Sequence, residues 1–319
     1  MGMAAFQMEN KGGSGIAMRK RIVWAAVVIA AGIAVWACRD RYGGKMDIDR
    51  TTAEERPGDA AGLEQKMLSF TVDGRSSKGV KQWHLEAGSA KIKGNEIHLN
   101  ELGAVVLGDD AAVNLTSDKG IYDRDEGEVE LIGSVTVVSD EGFTLTTDRA
   151  NWSQAAKEIS TDTIVRIERE GMTAVGKGGM ANSDERKAVL KESVMVIMEP
   201  DTKINCDGPL EVSYNDNIAV FYNNVMVEDE DGTLLADKLT VEFDPETQEL
   251  AQVTAEGNVK VKRGKSYTMS EKAIYSGSTG RAKLLGNPRV IIDSGELAEF
   301  EESGGLMGPE KEPEPENNG

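Results

Sequence analysis

A chain of 319 residues with 55 acidic and 36 basic side chains has room for one large or two ordinary domains. Its formal charge of −19 argues against nucleic acid as a partner, because phosphate binding needs a basic surface. The only cysteines, Cys38 and Cys206, can build neither a disulfide framework nor a thiol metal cluster, while 35 glycines and 5% aromatics suit many short strands and turns.

Residues 1–21 form a short N-terminal segment ending in the basic run Arg19-Lys20-Arg21. Residues 22–38 follow without a charge, with Trp24 and Trp36 near the two ends, where amphipathic rings favour a membrane interface. This predicts a single-pass transmembrane anchor at the lower length limit, with the N-terminus cytoplasmic and the bulk of the chain translocated. Arg39 and Arg41 on the far side oppose that orientation. A cleaved signal is the alternative: Val35-Trp36-Ala37-Cys38 loosely resembles a lipoprotein cleavage box, which would make Cys38 the lipidated residue. Residues 39–66 are polar and turn-prone and read as a linker.

From Met67 to residue 293 the period changes to two. Leu68-x-Phe70-x-Val72 alternates into Asp73-Gly74, a hairpin signal, and Trp83-x-Leu85-x-Ala87 returns. Seven copies of an apolar pair then recur about every 30 residues: Val105/Leu107, Val135/Val137, Val165/Ile167, Val194/Val196, Val225/Val227, Val259/Val261 and Val290/Ile292. Glycine precedes three of them, as in Gly133-Ser134-Val135. One unit is clear: Leu115–Tyr122 is a strand, Asp123–Glu128 a charged turn, and residues 129–137 a strand with one apolar face. Seven such units and the opening pair predict about fifteen strands and an all-β body, as one segment or as two, 67–199 and 200–293.

The first strand of each unit carries a small residue followed two later by a bulky one: Ala90/Ile92, Gly120/Tyr122, Ala150/Trp152, Ala273/Tyr275 and, with shuffling, Gly178/Met180. Pro209/Glu211 breaks the pattern. Small residues there let the facing layer approach, so Gly120, Ala150 and Gly133 are expected to be critical for packing. The apolar pairs either fill a core or line a groove, and periodicity does not separate the two.

The anchor, the Leu68-x-Phe70-x-Val72-Asp73-Gly74 opening, Trp83-x-Leu85-x-Ala87, Leu-Thr-Ser-Asp-Lys-Gly-Ile-Tyr and Glu-Leu-Ile-Gly-Ser-Val-Thr-Val together resemble the LptC-type component of the lipopolysaccharide exporter. The resemblance covers about Arg19 to Ile167, with later repeats similar to the shared LptC/LptA/OstA-like fold. It implies an open, twisted antiparallel jelly roll whose interior holds acyl chains. It further implies lipopolysaccharide, through its lipid A, as the ligand. The chain would sit in the inner membrane, with most of it periplasmic. Its partners would be an ABC transporter complex and an LptA-like bridge protein joined by strand addition. On this reading Val105, Leu107, Val135, Val137, Val165, Ile167, Val225, Val227, Val259 and Val261 are candidates to line the groove.

Nothing in the chain reads as an enzyme, and no cofactor or metal is expected. His84 and His98 alternate with apolar strand residues and are expected to face outward; a two-histidine metal site with Glu86 or Glu96 is the thinner alternative. Acidic runs such as Asp123–Glu126 and Glu228–Asp231 read as solvated turns. Residues 294–319 form an acidic, proline-bearing tail that is expected to be disordered. A structural or adhesive β-repeat protein on a membrane stalk is the competing reading, and a repeat-built polysaccharide lyase or hydrolase a more distant third.

Overall fold

The computed structural model describes residues 65–75, 81–107, 112–140, 142–153, 155–182, 184–247 and 249–293. The expected anchor over 22–38, Cys38, most of the linker and the acidic tail lie outside these residues. No helix among the described residues is long and apolar enough to cross a membrane.

The first nine strands are β1 (Gln65–Arg75), β2 (Lys81–Lys93), β3 (Glu96–Leu107), β4 (Ala112–Asp123), β5 (Glu128–Ser139), β6 (Phe143–Ser153), β7 (Glu158–Arg169), β8 (Met172–Asn182) and β9 (Lys187–Met198). Then come β10 (Thr202–Cys206), β11 (Leu210–Ser213), β12 (Ile218–Asp229), β13 (Gly232–Phe243), β14 (Leu250–Arg263), β15 (Ser266–Ser276), β16 (Arg281–Leu285) and β17 (Arg289–Ile291). All belong to one antiparallel sheet, paired in chain order from β1 to β9. Short β10 and β11 share one place between β9 and β12, and β16 and β17 share the last place beside β15. Seventeen segments therefore fill fifteen places. Gly208-Pro209 and Gly286-Asn287-Pro288 mark the two interruptions, where proline cannot donate to a ladder.

The turn expected at Asp73-Gly74 does not form there. Both residues stay in β1, opposite His84 and Trp83. Asp73 Oδ1 accepts hydrogen bonds from Lys81 Nζ at 2.8 Å and His84 Nδ1 at 2.6 Å, so the aspartate ties the hairpin arms together instead of turning the chain. Elsewhere the acidic turns are capped by their own first carboxylate. Asp229 Oδ1 accepts from the backbone N–H of Asp231 and Gly232, both at 2.9 Å. Asp123 and Asp244 do the same in their turns.

Most strands bend in the middle, where the register slips. In β5 the slip is Gly133-Ser134, with φ of 81° and 47°; in β14 it is Gly257-Asn258, with 75° and 48°. Two successive left-handed residues add a bulge and turn the second half of the strand away from the first. Glycine is needed at the first position for a second reason. A Cβ on Gly133 would collide with the Asp118 carboxylate, and one on Gly257 with that of Asp237. Those carboxylates accept hydrogen bonds from Ser134 Oγ (3.2 Å) and Asn258 Nδ2 (2.8 Å).

Apolar side chains on the inner side of both halves pack against one another. One core cluster draws on β2–β6 and includes Leu99, Leu102, Leu131 and Val135. A larger one spans β7–β15 and includes Val165, Val196, Phe221, Val225 and Leu239. A small third cluster joins Val113, Val137 and Phe143. The β6–β7 ladder stops at Thr146 opposite Arg166 and resumes at Asn151 opposite Ser160. Inside that gap, buried Thr147 Oγ1 lies 2.7 Å from Thr163 Oγ1, and Ile164 is 61% exposed. By contrast, no gap occurs at Pro200. Met198 pairs with Thr202, and the larger cluster includes residues from both sides.

Candidate functional site

Beyond the bend, register places two inward rows side by side across the sheet. The first, interrupted by register slips, is made of Leu102 opposite Ser117, Val135 opposite Thr147, Val165 opposite Gly176, Val194 opposite Cys206, Val225 opposite Ala236 and Val259 opposite Ser270. The second passes through Ala104, Leu115, Val137, Leu145, Ile167, Val196, Ile204, Val227 and Val261. The structure thus brings together Val135, Val137, Val165, Ile167, Val225, Val227, Val259 and Val261. Bulky residues on the odd-numbered strands of the first half face Ser117, Thr147 and Gly176 on the even-numbered ones, so large and small alternate.

Val105 is not part of these rows. It pairs with Asn114, which pairs with Val138, and both neighbours are exposed. The β3 members are Leu102 and Ala104, because the left-handed residue of that strand is Glu101 (φ 53°) rather than Gly103. The apparent Gly103-Ala104-Val105 repeat is one parity out. The Leu107 side chain lies outside the described set. Val290 keeps register with Thr268 but is 40% exposed at the end of the sheet.

Before the bend, two more inward rows run through Leu99, Gly120, Leu131 and Ala150, and through Ile97, Tyr122, Val129 and Trp152. At Gly120 the two halves approach closely: a Cβ there would sit 2.6 Å from Leu102 Cδ1. Ala150 is 3% exposed. In β8 the row holds Gly179 and Ala181, opposite Leu190 and Ala188, in place of the expected Gly178/Met180. In β11 it holds Leu210 and Val212, which replaces Pro209/Glu211.

A device missed in the sequence recurs at the bends of β4, β6 and β15. Ser117 Oγ, Thr147 Oγ1 and Ser270 Oγ each donate to the carbonyl two residues on, at Lys119, Arg149 and Lys272 (3.1, 3.4 and 3.1 Å). The hydroxyl-acid-base triplets Ser117-Asp118-Lys119, Thr147-Asp148-Arg149 and Ser270-Glu271-Lys272 signal it. The hydroxyl satisfies the bent backbone, and in the first triplet the acid receives the facing bulge.

The interior is closed over most of its length. Val135 is 1% exposed, and Val225 is fully buried. Where β1–β5 meet, a small apolar cavity of about 30 Å³ remains, lined by Phe70, Val72, Leu85, Ile97, Leu99 and Tyr122. In the larger core the Tyr214 hydroxyl is buried and makes no hydrogen bond, and burial holds its pKa well above the usual phenol value.

His84 bonds Asp73, and His98 Nε2 lies 2.8 Å from Glu96 Oε2. Among the described residues no three metal-ligating side chains come together. Cys206 is a buried free thiol whose pKa is raised by burial.

No curated protein matches the sequence. Among solved structures, LptH from Pseudomonas aeruginosa, described as the LptA-homologous periplasmic component of the lipopolysaccharide transport device, is similar at 10% identity. That match covers 38% of this chain and 94% of LptH, with a TM-score of 0.33. A family model for the LptA/(LptD N-terminal domain) LPS transport protein matches residues 203–299. The model for lipopolysaccharide-assembly, LptC-related proteins matches residues 27–199, more than half of the chain. The chain belongs to the LptC-related lipopolysaccharide-assembly family, with an LptA-like segment continuing the same sheet.

Proposed function

We propose that this protein is a membrane-anchored scaffold for lipopolysaccharide transport, a jelly roll that holds lipid A acyl chains between its two sheet halves. The carrying observation is the pair of inward apolar rows that pass Pro200 without a break, joining the LptC-like and LptA-like stretches. Each acyl CH₂ removed from water stabilises the complex by about 0.8 kcal/mol. Because the rows are buried, acyl chains enter only as the halves part, and the cavity beside Phe70 and Tyr122 is the place where parting starts. The chain receives its load from an inner-membrane ABC transporter and passes it to a periplasmic LptA-like protein. Hand-off uses strand addition at a sheet edge, where backbone groups of the last strand extend the ladder. The anchor over 22–38, or lipid on Cys38, keeps the body at the inner membrane. No catalytic residue is assigned.

Photo-crosslinking tests the reading. Benzophenone side chains at Val135 and Val165 of the full chain should capture lipopolysaccharide in cells, while one at exposed Asn114 should not. Absence of lipid adducts at both inner sites, and no lipid in organic extracts of the purified chain, would leave a structural β-repeat protein as the better account. The closed interior of β7–β15 is the observation that favours this second account.

A further inference from the structure

The outer face changes character along the sheet. One outward row runs in register through Thr116, Thr136, Thr146 and Arg166, all polar. The same row continues beyond β7 with Val175, Met195, Met226, Leu235 and Met269, interrupted by Asn205 and Lys260. Leu235 is 40% and Met269 38% exposed, so the strip meets solvent. Charge changes at the same end. The turns on this side hold Asp140, Glu170, Glu199 and Asp229–Asp231, all acidic, whereas the β14–β15 turn belongs to Lys260-Val261-Lys262-Arg263-Gly264-Lys265. Lys203 and Arg289 lie on the same outward face, with Glu228 between Lys203 and the hairpin as the opposing charge. The result is an apolar strip edged with basic residues on a chain of charge −19.

The chain's own C-terminus begins at this spot. Asp293 N–H donates to Ser266 Oγ at 3.1 Å, so the last described residue lies beside the basic turn. The following stretch, Glu296-Leu297-Ala298-Glu299-Phe300-Glu301-Glu302, pairs apolar side chains with acids, the complement of the patch. We propose that residues 294–302 lie across this outer patch, with Leu297 and Phe300 on Met269 and Leu235 and the glutamates toward the Lys260–Lys265 hairpin. The reach is sufficient. From the last strand to β13 is three strand spacings, about 14 Å, and in extended chain Leu297 and Phe300 fall about 13 and 23 Å beyond Asp293. Tethering supplies an effective concentration in the millimolar range, so a contact too weak to form between molecules is populated within one. The docked tail covers an apolar surface that would otherwise meet other chains or lipid, and it borders the edge strand that a bridge partner would extend.

Methionine-methyl NMR of the full chain in micelles tests this. Ending the chain at Asp293 should shift the Met226 and Met269 methyl signals and leave buried Met172 and Met198 in place. Replacing Glu296, Glu299, Glu301 and Glu302 with lysine should reproduce that shift, and about 0.5 M salt should move the intact chain toward it. The proposal fails if truncation leaves Met226 and Met269 unmoved. It also fails if, in phospholipid nanodiscs, those signals respond to added phosphatidylglycerol but not to loss of the tail, because the occupant is then an anionic membrane surface.

Discussion

The two large cores of the sheet are made differently, and the difference locates the joint of the molecule. The core of β2–β6 sets Ala90, Gly120 and Ala150 against Leu99, Leu102 and Leu131, and leaves a small cavity at its end. The core of β7–β15 is filled by Phe221, Val196 and Val225 at near-zero exposure. Between them the β6–β7 ladder lapses over residues 147–150 and 161–165, and threonine hydroxyls take the place of apolar contacts. The change of family match at 199–203 shows none of this, since ladder and core both cross it. Likeness to known families and the lapse in backbone bonding therefore fall at different places, and we place the joint at the lapse.

Damage to one core should stay on its side of the joint. Phe221→Ala should cost the larger core about 3–5 kcal/mol. In hydrogen exchange, β9–β13 should then open while β3–β5 keep their protection. Gly120→Arg should do the reverse, at about 3 kcal/mol or more, because the arginine overlaps Leu102 and buries a charge. If either variant opens both halves together, the cores are one cooperative unit.

Strain gives a smaller effect. Gly257→Val places a β-branched residue at φ 75° against Asp237 and should destabilise by about 1–3 kcal/mol, read from the urea midpoint. In the unmodified chain, amides of 147–150 and 161–165 should exchange faster than those of 195–198 and 202–205. Equal rates would remove the joint.

The smallest effect is acid sensitivity at one bend of the larger core. Lys272 Nζ lies 2.8 Å from Glu256 Oε1, and that hydrogen bond, helped by the charge of Lys238, holds the carboxyl below its ordinary 4.5. A lowered folded pKa contributes stability above the unfolded value and loses it as pH falls through the folded one. Glu256→Gln should therefore be slightly less stable than the parent at pH 7, and the gap should close toward pH 3. A gap that stays constant would mean that the charge plays no part.

Much of the fold is legible in the residues. Strict alternation in 129–137 and its recurrence give the all-β class, and fifteen places in the sheet match the fifteen strands expected. Register is harder to read, because a bulge exchanges inside for outside within one strand. Val105 and Gly178 were displaced for that reason: Glu101 and the slip after Val175 supply left-handed or skipped positions that composition does not advertise. Asp73-Gly74 reads as a turn, since nothing local reveals that Lys81 and His84 hold the aspartate in a ladder. Closure of the interior depends on how nearly the halves meet, which a periodic pattern leaves open.

The two ends of the sheet are unlike. β1 offers eleven residues, whereas the opposite end is split into segments of five and three around Gly286-Asn287-Pro288. An object with a long edge strand at its head and a broken one at its tail has polarity. Joined end to end, such units form a one-way row rather than a symmetric pair, and a row with one sense is what directional traffic along a chain of proteins requires.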